Sequence, residues 1–227
     1  AGVGRDKRGE RTVANTRNHW HCHRDQRFSH RIHEPDPSVW PGGDQAFADR
    51  IHDRGQPATA LLEFLFQPRS VAVIGASDRE RSLGALVMRN LLQARFAGPV
   101  WPVNLRHAEV AGQTAWPEVA ALPAIPDLAV ICTPPETVPD LVRACGEARV
   151  AAVMIISAGF REIGEEGRKL EKQVLEEQAK FDGMRILGPN CLGIIVPSIC
   201  LNASFATATP QKGHVGFISQ SGALCTS

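Results

Sequence analysis

The sequence predicts an α/β protein built on a doubly wound parallel sheet. Short, β-branched apolar runs with little polar alternation recur from Leu61 onward, as expected of strands covered on both faces. Between them lie segments with apolar residues at three- and four-residue spacing, the signature of amphipathic helices. Alternating the two element types with right-handed crossovers makes the sheet parallel and puts helices on both of its faces.

Residues 1 to about 60 stand outside this pattern. They carry ten Lys/Arg, eight acids and six of the eight histidines, with few aliphatic runs. Such a segment has little apolar surface to offset chain ordering, so residues 1–60 are expected to be a poorly structured Arg/His-rich extension. The boundary falls near 58–65, where Pro57 punctuates the chain. The strand candidates that follow are Val71–Ile74, Val100–Val103, Leu128–Cys132, Ala152–Ile156, Arg185–Leu187 and Val215–Ile218. A first helix is marked by Leu83, Leu86, Val87, Leu91 and Ala94, a second by Val138, Leu141, Val142 and Cys145, and a longer third by Leu170, Val174 and Leu175. A short helical turn around Pro117–Leu122 serves the remaining crossover.

Composition narrows the function classes. The 227 residues are 43% hydrophobic and 22% charged, with 25 Lys+Arg against 24 Asp+Glu and a formal net charge of +1. Balanced charge gives no general attraction to nucleic acid or to an anionic membrane, and no apolar run approaches the roughly 18 residues of a membrane span. Neither partner is expected. Six cysteines without a CxxC pair read as free thiols in a reducing, cytoplasmic setting. His19, His21 and His23 alternate around Cys22, with His30 and His33 beyond, but an extended chain points alternate residues to opposite sides, so no metal site is assigned. The chain opens on Ala and its last stretch, ISQSGALCTS, stops as a turn enters a helix, so it is read as a fragment.

The most informative stretch is SVAVIGASDRERSLGALVMRNLL. A buried strand runs into Gly75, and a polar loop then reaches Ser82, Leu83 and Gly84 before a helix begins. Gly75 can turn tightly and bring backbone close to a ligand, Ser77 and Ser82 offer hydroxyls, and the helix start offers free amides to a pyrophosphate. A plain βα turn with a serine cap fits the same residues. The loop departs from GxGxxG, and no acid follows the second strand to hold a ribose diol. Val103, Asn104, Leu105 and Arg106 stand there instead, and Arg106, aided by Asn104, suits a ribose phosphate as in coenzyme A or NADPH. Other loops share that edge: Thr133-Pro134-Pro135, Ser157-Ala158-Gly159-Phe160, and Gly188 to Gly193 with Asn190. Cys191 in the last loop reads as packing, since no activating base is evident beside it.

These motifs resemble the N-terminal coenzyme-A-binding domain of the NDP-forming acyl-CoA synthetases, related to the succinyl-CoA synthetase alpha subunit. The matching stretches are SVAVIGASDRERSLG, VWPVNLRHAEVAG, PDLAVICTPPETVPDLV, AVMIISAGFREIGEEG, GMRILGPNCLGIIVP and HVGFISQSGAL. The resemblance implies a Rossmann-like sheet over 61–210 with coenzyme A near Gly75–Gly84 and Val103–Arg106. It also implies the start of a flavodoxin-like second domain over 211–227, with Ser219, Gln220, Ser221 and Gly222 as a phosphate-facing turn. In complete enzymes a histidine further along is phosphorylated; His214 is no substitute by position, so no catalytic residue is assigned here. The implied partners are a phosphohistidine domain and an ATP-grasp domain or subunit, with ATP/ADP serving only the complete enzyme. The same module resembles that fused to a GNAT domain in protein lysine acetyltransferases, which leaves a CoA- or acyl-CoA-sensing regulatory role open. An NADP-dependent oxidoreductase is a third reading.

Overall fold

The computed structural model describes residues 62–208, 210–219 and 221, all within one compact unit, Ile32–Ser227. The Arg/His-rich extension, Gln220 and Gly222 lie outside the described residues. A short helix α1 (Glu63–Phe66) leads into β1 (Val71–Ile74), and helix α2 (Leu83–Ala94) crosses to β2 (Val100–Val103). A small hairpin follows, β3 (Glu109–Val110) and β4 (Gln113–Thr114), then β5 (Leu128–Ile131), α3 (Val138–Glu147), β6 (Ala152–Ile155), α4 (Glu165–Gln178) and β7 (Arg185–Leu187). A second hairpin, β8 (Gly193–Val196) and β9 (Leu201–Ser204), completes the set.

Five strands form one parallel sheet in the order β2-β1-β5-β6-β7, a Rossmann-like doubly wound α/β architecture. Chain order reverses between β1 and β5. Alternate residues of each strand face opposite sides, so the sheet carries two cores. Val71, Val73, Leu128, Val130 and Met154 pack with Val87, Met88 and Leu91 of α2 and with Ile194, Leu201 and Ala203 of the second hairpin. Ala72, Ile74, Ile131, Val153 and Ile155 pack with Val138, Val142 and Cys145 of α3 and Val174 of α4.

The predicted strands and helices of the five-stranded core form where expected, with β5 and β6 each one residue shorter at the end. The sixth strand candidate does not form. Residues 215–218 are without regular structure, and Val215, Phe217 and Ile218 are 93%, 67% and 96% exposed, because no described strand pairs with them. Both hairpins are additions to the predicted pattern. Cys132, Cys145 and Cys191 are free thiols, whereas Cys200 is disulfide-bonded, against the all-thiol expectation; spacing along a chain does not reveal which sulfurs a fold brings together. Among the described residues no helix is long and apolar enough to cross a membrane.

Candidate functional site

Strand register builds the site. Ile74 is level with Val103 and Ile131, and Ile131 is level with Ile155, so the loops after β1, β2, β5 and β6 leave the sheet at one height. The reversal between β1 and β5 opens a crevice there, which is where ligands of such sheets are held.

Gly75 opens the β1–α2 loop at φ +84, and a Cβ on it would come within 2.7 Å of Thr133 Cγ2. Its amide donates to the Val103 carbonyl at 3.0 Å. The contribution of Val103 is therefore main-chain, since its side chain is core. Ser77 Oγ accepts from the Arg79 amide at 3.0 Å, which shapes the loop. Ser82 is the extended N-cap of α2, and its Oγ accepts from the Ala85 amide at 3.2 Å. Gly84 is buried, and a Cβ there would overlap the Gly75 carbonyl oxygen. Its part is close approach of helix to turn, leaving the first amides of α2 directed to the loop.

Asn104 fastens this edge more thoroughly than its sequence role suggested. Its Nδ2 donates to the Ala76 carbonyl at 2.7 Å, and its Oδ1 accepts from the amides of Arg106 at 2.7 Å and His107 at 2.9 Å. The Asp78 carboxylate accepts from the Ala111 amide at 2.8 Å and ties the same loop to the β3–β4 turn. The guanidiniums of Arg79, Arg81, Arg89 and Arg106 have no ion-pair partner among the described residues. Sequence reasoning singled out Arg106 alone. An asparagine just past a strand is a turn signal that pointed to Asn104, but the Asp78 link spans 33 residues and has no local signature.

The other predicted loops meet across the crevice. Ser157 is buried, and its hydroxyl donates to the Thr133 carbonyl at 2.5 Å while its carbonyl accepts from the Asn190 amide at 3.0 Å. The serine thus joins three loops instead of presenting a free hydroxyl. Thr137 Oγ1 lies 2.8 Å from both Thr133 Oγ1 and the Pro134 carbonyl. Gly159, at φ +107, faces the Pro135 ring, which a Cβ would approach to 2.7 Å. Its amide donates to Glu162 Oε1 at 2.6 Å; burial pushes that carboxyl up, but backbone amides outweigh it and hold Glu162 below its usual range. Ala158 and Asn190 are exposed at the edge. Ser219 and Ser221 bond locally, the Ser221 amide donating to Ser219 Oγ at 3.0 Å, and the structure does not bring them into this set of contacts.

The thiol beside the crevice is quiet. Burial pushes Cys191 up to about 11, with Sγ 3.3 Å from the Ile155 carbonyl, and burial with some repulsion from Cys191 takes Cys132 to about 12. Both are protonated at neutral pH, which removes them as nucleophiles.

Comparison with known proteins agrees with this geometry. Residues 69–197 match the family described as CoA binding domain. The chain is 48% identical to subunit alpha of the ADP-forming acetate–CoA ligase II of Pyrococcus furiosus, covering 72% of this chain and 35% of that protein. It is 44% identical to the ADP-forming acetate–CoA ligase I of Archaeoglobus fulgidus, over 72% of this chain and 23% of the relative. Among solved structures, the dinucleotide-forming acetyl-coenzyme A synthetase 1 of Ca. Korarchaeum cryptofilum, in complex with phosphate and ADP, superposes with a TM-score of 0.68 at 39% identity, covering 72% of this chain and 34% of that one. The chain therefore spans about a third or less of the length of these relatives. Its matched region is homologous to the CoA-binding region of ADP-forming acetate–CoA ligases, and the chain belongs to the CoA-binding domain family.

Proposed function

We propose that this protein binds coenzyme A across the crevice between β1 and β5, as the cofactor-holding part of an NDP-forming acyl-CoA synthetase. The observation that carries the reading is the level register of Ile74, Val103, Ile131 and Ile155, which delivers the loops beyond them to one edge. In this reading the diphosphate of the cofactor lies against the Gly75–Gly84 loop and the amino end of α2, where the helix dipole and free amides favour anions. Ser77, Ser82, Asn104 and Arg106 flank the phosphates. The pantetheine arm runs past Thr133, Pro134 and Pro135 toward Ser157, Ala158, Gly159 and Asn190.

The complete reaction is carboxylate, CoA and nucleoside triphosphate giving acyl-CoA, nucleoside diphosphate and phosphate. A phosphohistidine relay would divide it into two transfers, and it belongs to further domains or subunits of the kind implied by the name of the Pyrococcus relative. ATP or ADP enters only there. We further propose that residues 61–210 form the cofactor module and that 211–227 begin a second domain, with Ser219, Gln220, Ser221 and Gly222 facing phosphate. Substrates of this class place the protein in the cytoplasm.

Calorimetric titration of the full chain with CoA, dephospho-CoA, NADPH and NADH tests the reading. Preference for CoA, weakened by loss of the ribose phosphate, is expected. Binding of NADPH without CoA refutes it and moves the search to hydride acceptors.

A further inference from the structure

We infer that Glu162 is a positioning residue for the arm of coenzyme A: by holding the Gly159 amide it fixes the Ala158–Gly159 rim on which that arm rests. This role rests on the CoA reading above and falls to a residue that makes none of the proposed cofactor contacts itself. The loop after β6 has two parts of unequal rigidity. Its base is anchored. Phe160 is fully buried, and a Cβ on Gly167 of α4 would overlap its carbonyl oxygen, so the helix start packs directly on the turn. Arg161 lays its guanidinium on the buried Glu171 carboxylate of α4, with Nε 2.9 Å from both oxygens. The Ile163 amide donates to the Phe160 carbonyl at 2.9 Å and closes the turn.

The rim has little of its own to hold it. Gly159 sits at φ +107, and without a side chain it is free of the steric limits that fix other residues. Its amide has one acceptor among the described residues, Glu162 Oε1 at 2.6 Å, a charge-assisted bond that runs from the rim back to the base. Burial pushes that carboxyl up and backbone amides more than reverse it, so Glu162 is ionised at neutral pH. On the other side of the rim, Ser157 is tied to Thr133 and Asn190. Between these two anchors the Ala158 amide makes no hydrogen bond among the described residues, and Ala158 is exposed at the crevice edge. An unspent backbone donor held from both sides suits the amide carbonyls of a pantetheine arm.

The sign of the effect separates the possible roles. Coenzyme A is polyanionic, so if Glu162 acted on it only through space, deleting its charge would tighten binding. Positioning predicts the opposite. A turn cap with a purely structural role would lower Tm and leave the affinity of the folded protein unaltered.

The test is titration of the full chain, as wild type and as Glu162→Ala, Glu162→Gln and Glu166→Gln, with CoA and with ADP carrying the same ribose phosphate, which is the cofactor without its arm. Thermal unfolding checks the fold of each variant. Glu162→Ala should weaken CoA roughly 3- to 10-fold and leave the arm-less nucleotide unchanged. Glu162→Gln, whose amide oxygen still accepts from Gly159, should recover most of that loss. Glu166→Gln removes the same charge from the exposed first turn of α4 and should weaken neither ligand. CoA binding in Glu162→Ala as tight as wild type or tighter overturns the inference, as does an equal loss for both ligands or a Gln variant as weak as the Ala variant. Amide exchange followed by NMR in the ligand-free chain gives a second readout: Gly159 should exchange faster in Glu162→Ala, and unaltered exchange overturns the contact itself. Failure of the wild type to bind CoA overturns the cofactor reading instead, so the two failures are distinguishable.

Discussion

Gly84→Ala separates helix propensity from packing, because the two act in opposite directions at this position. In a helix, alanine is favoured over glycine by at most about 1 kcal/mol. Here the new Cβ would overlap the Gly75 carbonyl oxygen and sit 2.9 Å from the Gly75 carbonyl carbon and 3.1 Å from Ala76 Cα. Those are backbone atoms that cannot rotate away. They are pinned by the Gly75 amide on Val103 and by Asn104 on the Ala76 carbonyl. Overpacking costs typically about 1–3 kcal/mol, and displacing the turn weakens two hydrogen bonds at about 1 kcal/mol each. A net loss of roughly 1–3 kcal/mol follows, which for a domain of this size lowers Tm by roughly 2–10 °C. Thermal unfolding followed by circular dichroism measures it, and CoA titration of the same variant should show weakened binding. A Tm equal to or above that of the wild type refutes the packing argument outright.

Two further outcomes follow from buried groups. Asn90 of α2 donates Nδ2 to the carbonyls of Ser204 at 2.8 Å and Ala206 at 2.9 Å, so Asn90→Ala should cost roughly 2–5 kcal/mol in urea unfolding and speed hydrogen exchange over 193–206; a change within about 0.5 kcal/mol contradicts this. Burial pushes Cys145 from 9.0 to about 12, so above pH 9 the unfolded chain releases a thiol proton that the fold retains, and stability falls as pH rises from 9 toward 12. Cys145→Ala should flatten that fall while lowering absolute stability, and an identical slope in both proteins rules the linkage out.

The central strands β1, β5 and β6 were readable because every residue in them is buried, which leaves uninterrupted apolar runs such as VAVI or LAVI, while the flanking β2 and the half-buried edge strand β7 were found from their place in the alternation. Helix α2 was readable from its Val87, Leu91 face and its Ser82 cap. The β3–β4 hairpin was not: its strands have two residues each and mostly exposed side chains, too short to show a period. Val215–Ile218 erred in the other direction, since β-branched composition records compatibility with a strand but not the presence of a neighbour to pair with. At the site, chemistry-bearing residue types were legible, but their commitments were not. Ser157 and Asn104 look like ligand donors in sequence and spend most of their polar capacity on neighbouring loops. Arg89 looks like an ordinary exposed helix cation, and only the fold puts it on the same groove as Arg81.

The Asp78 to Ala111 link has an evolutionary and engineering corollary. The loop facing the cofactor edge is moored to a two-rung appendage at the margin of the sheet, whose turn residues Ala111 and Gly112 both hold positive φ. Lengthening, shortening or stiffening that appendage would reposition the loop while every residue within it stayed the same. Affinity would then be adjustable from a peripheral turn, with the crevice and the five-stranded scaffold beneath it left unaltered.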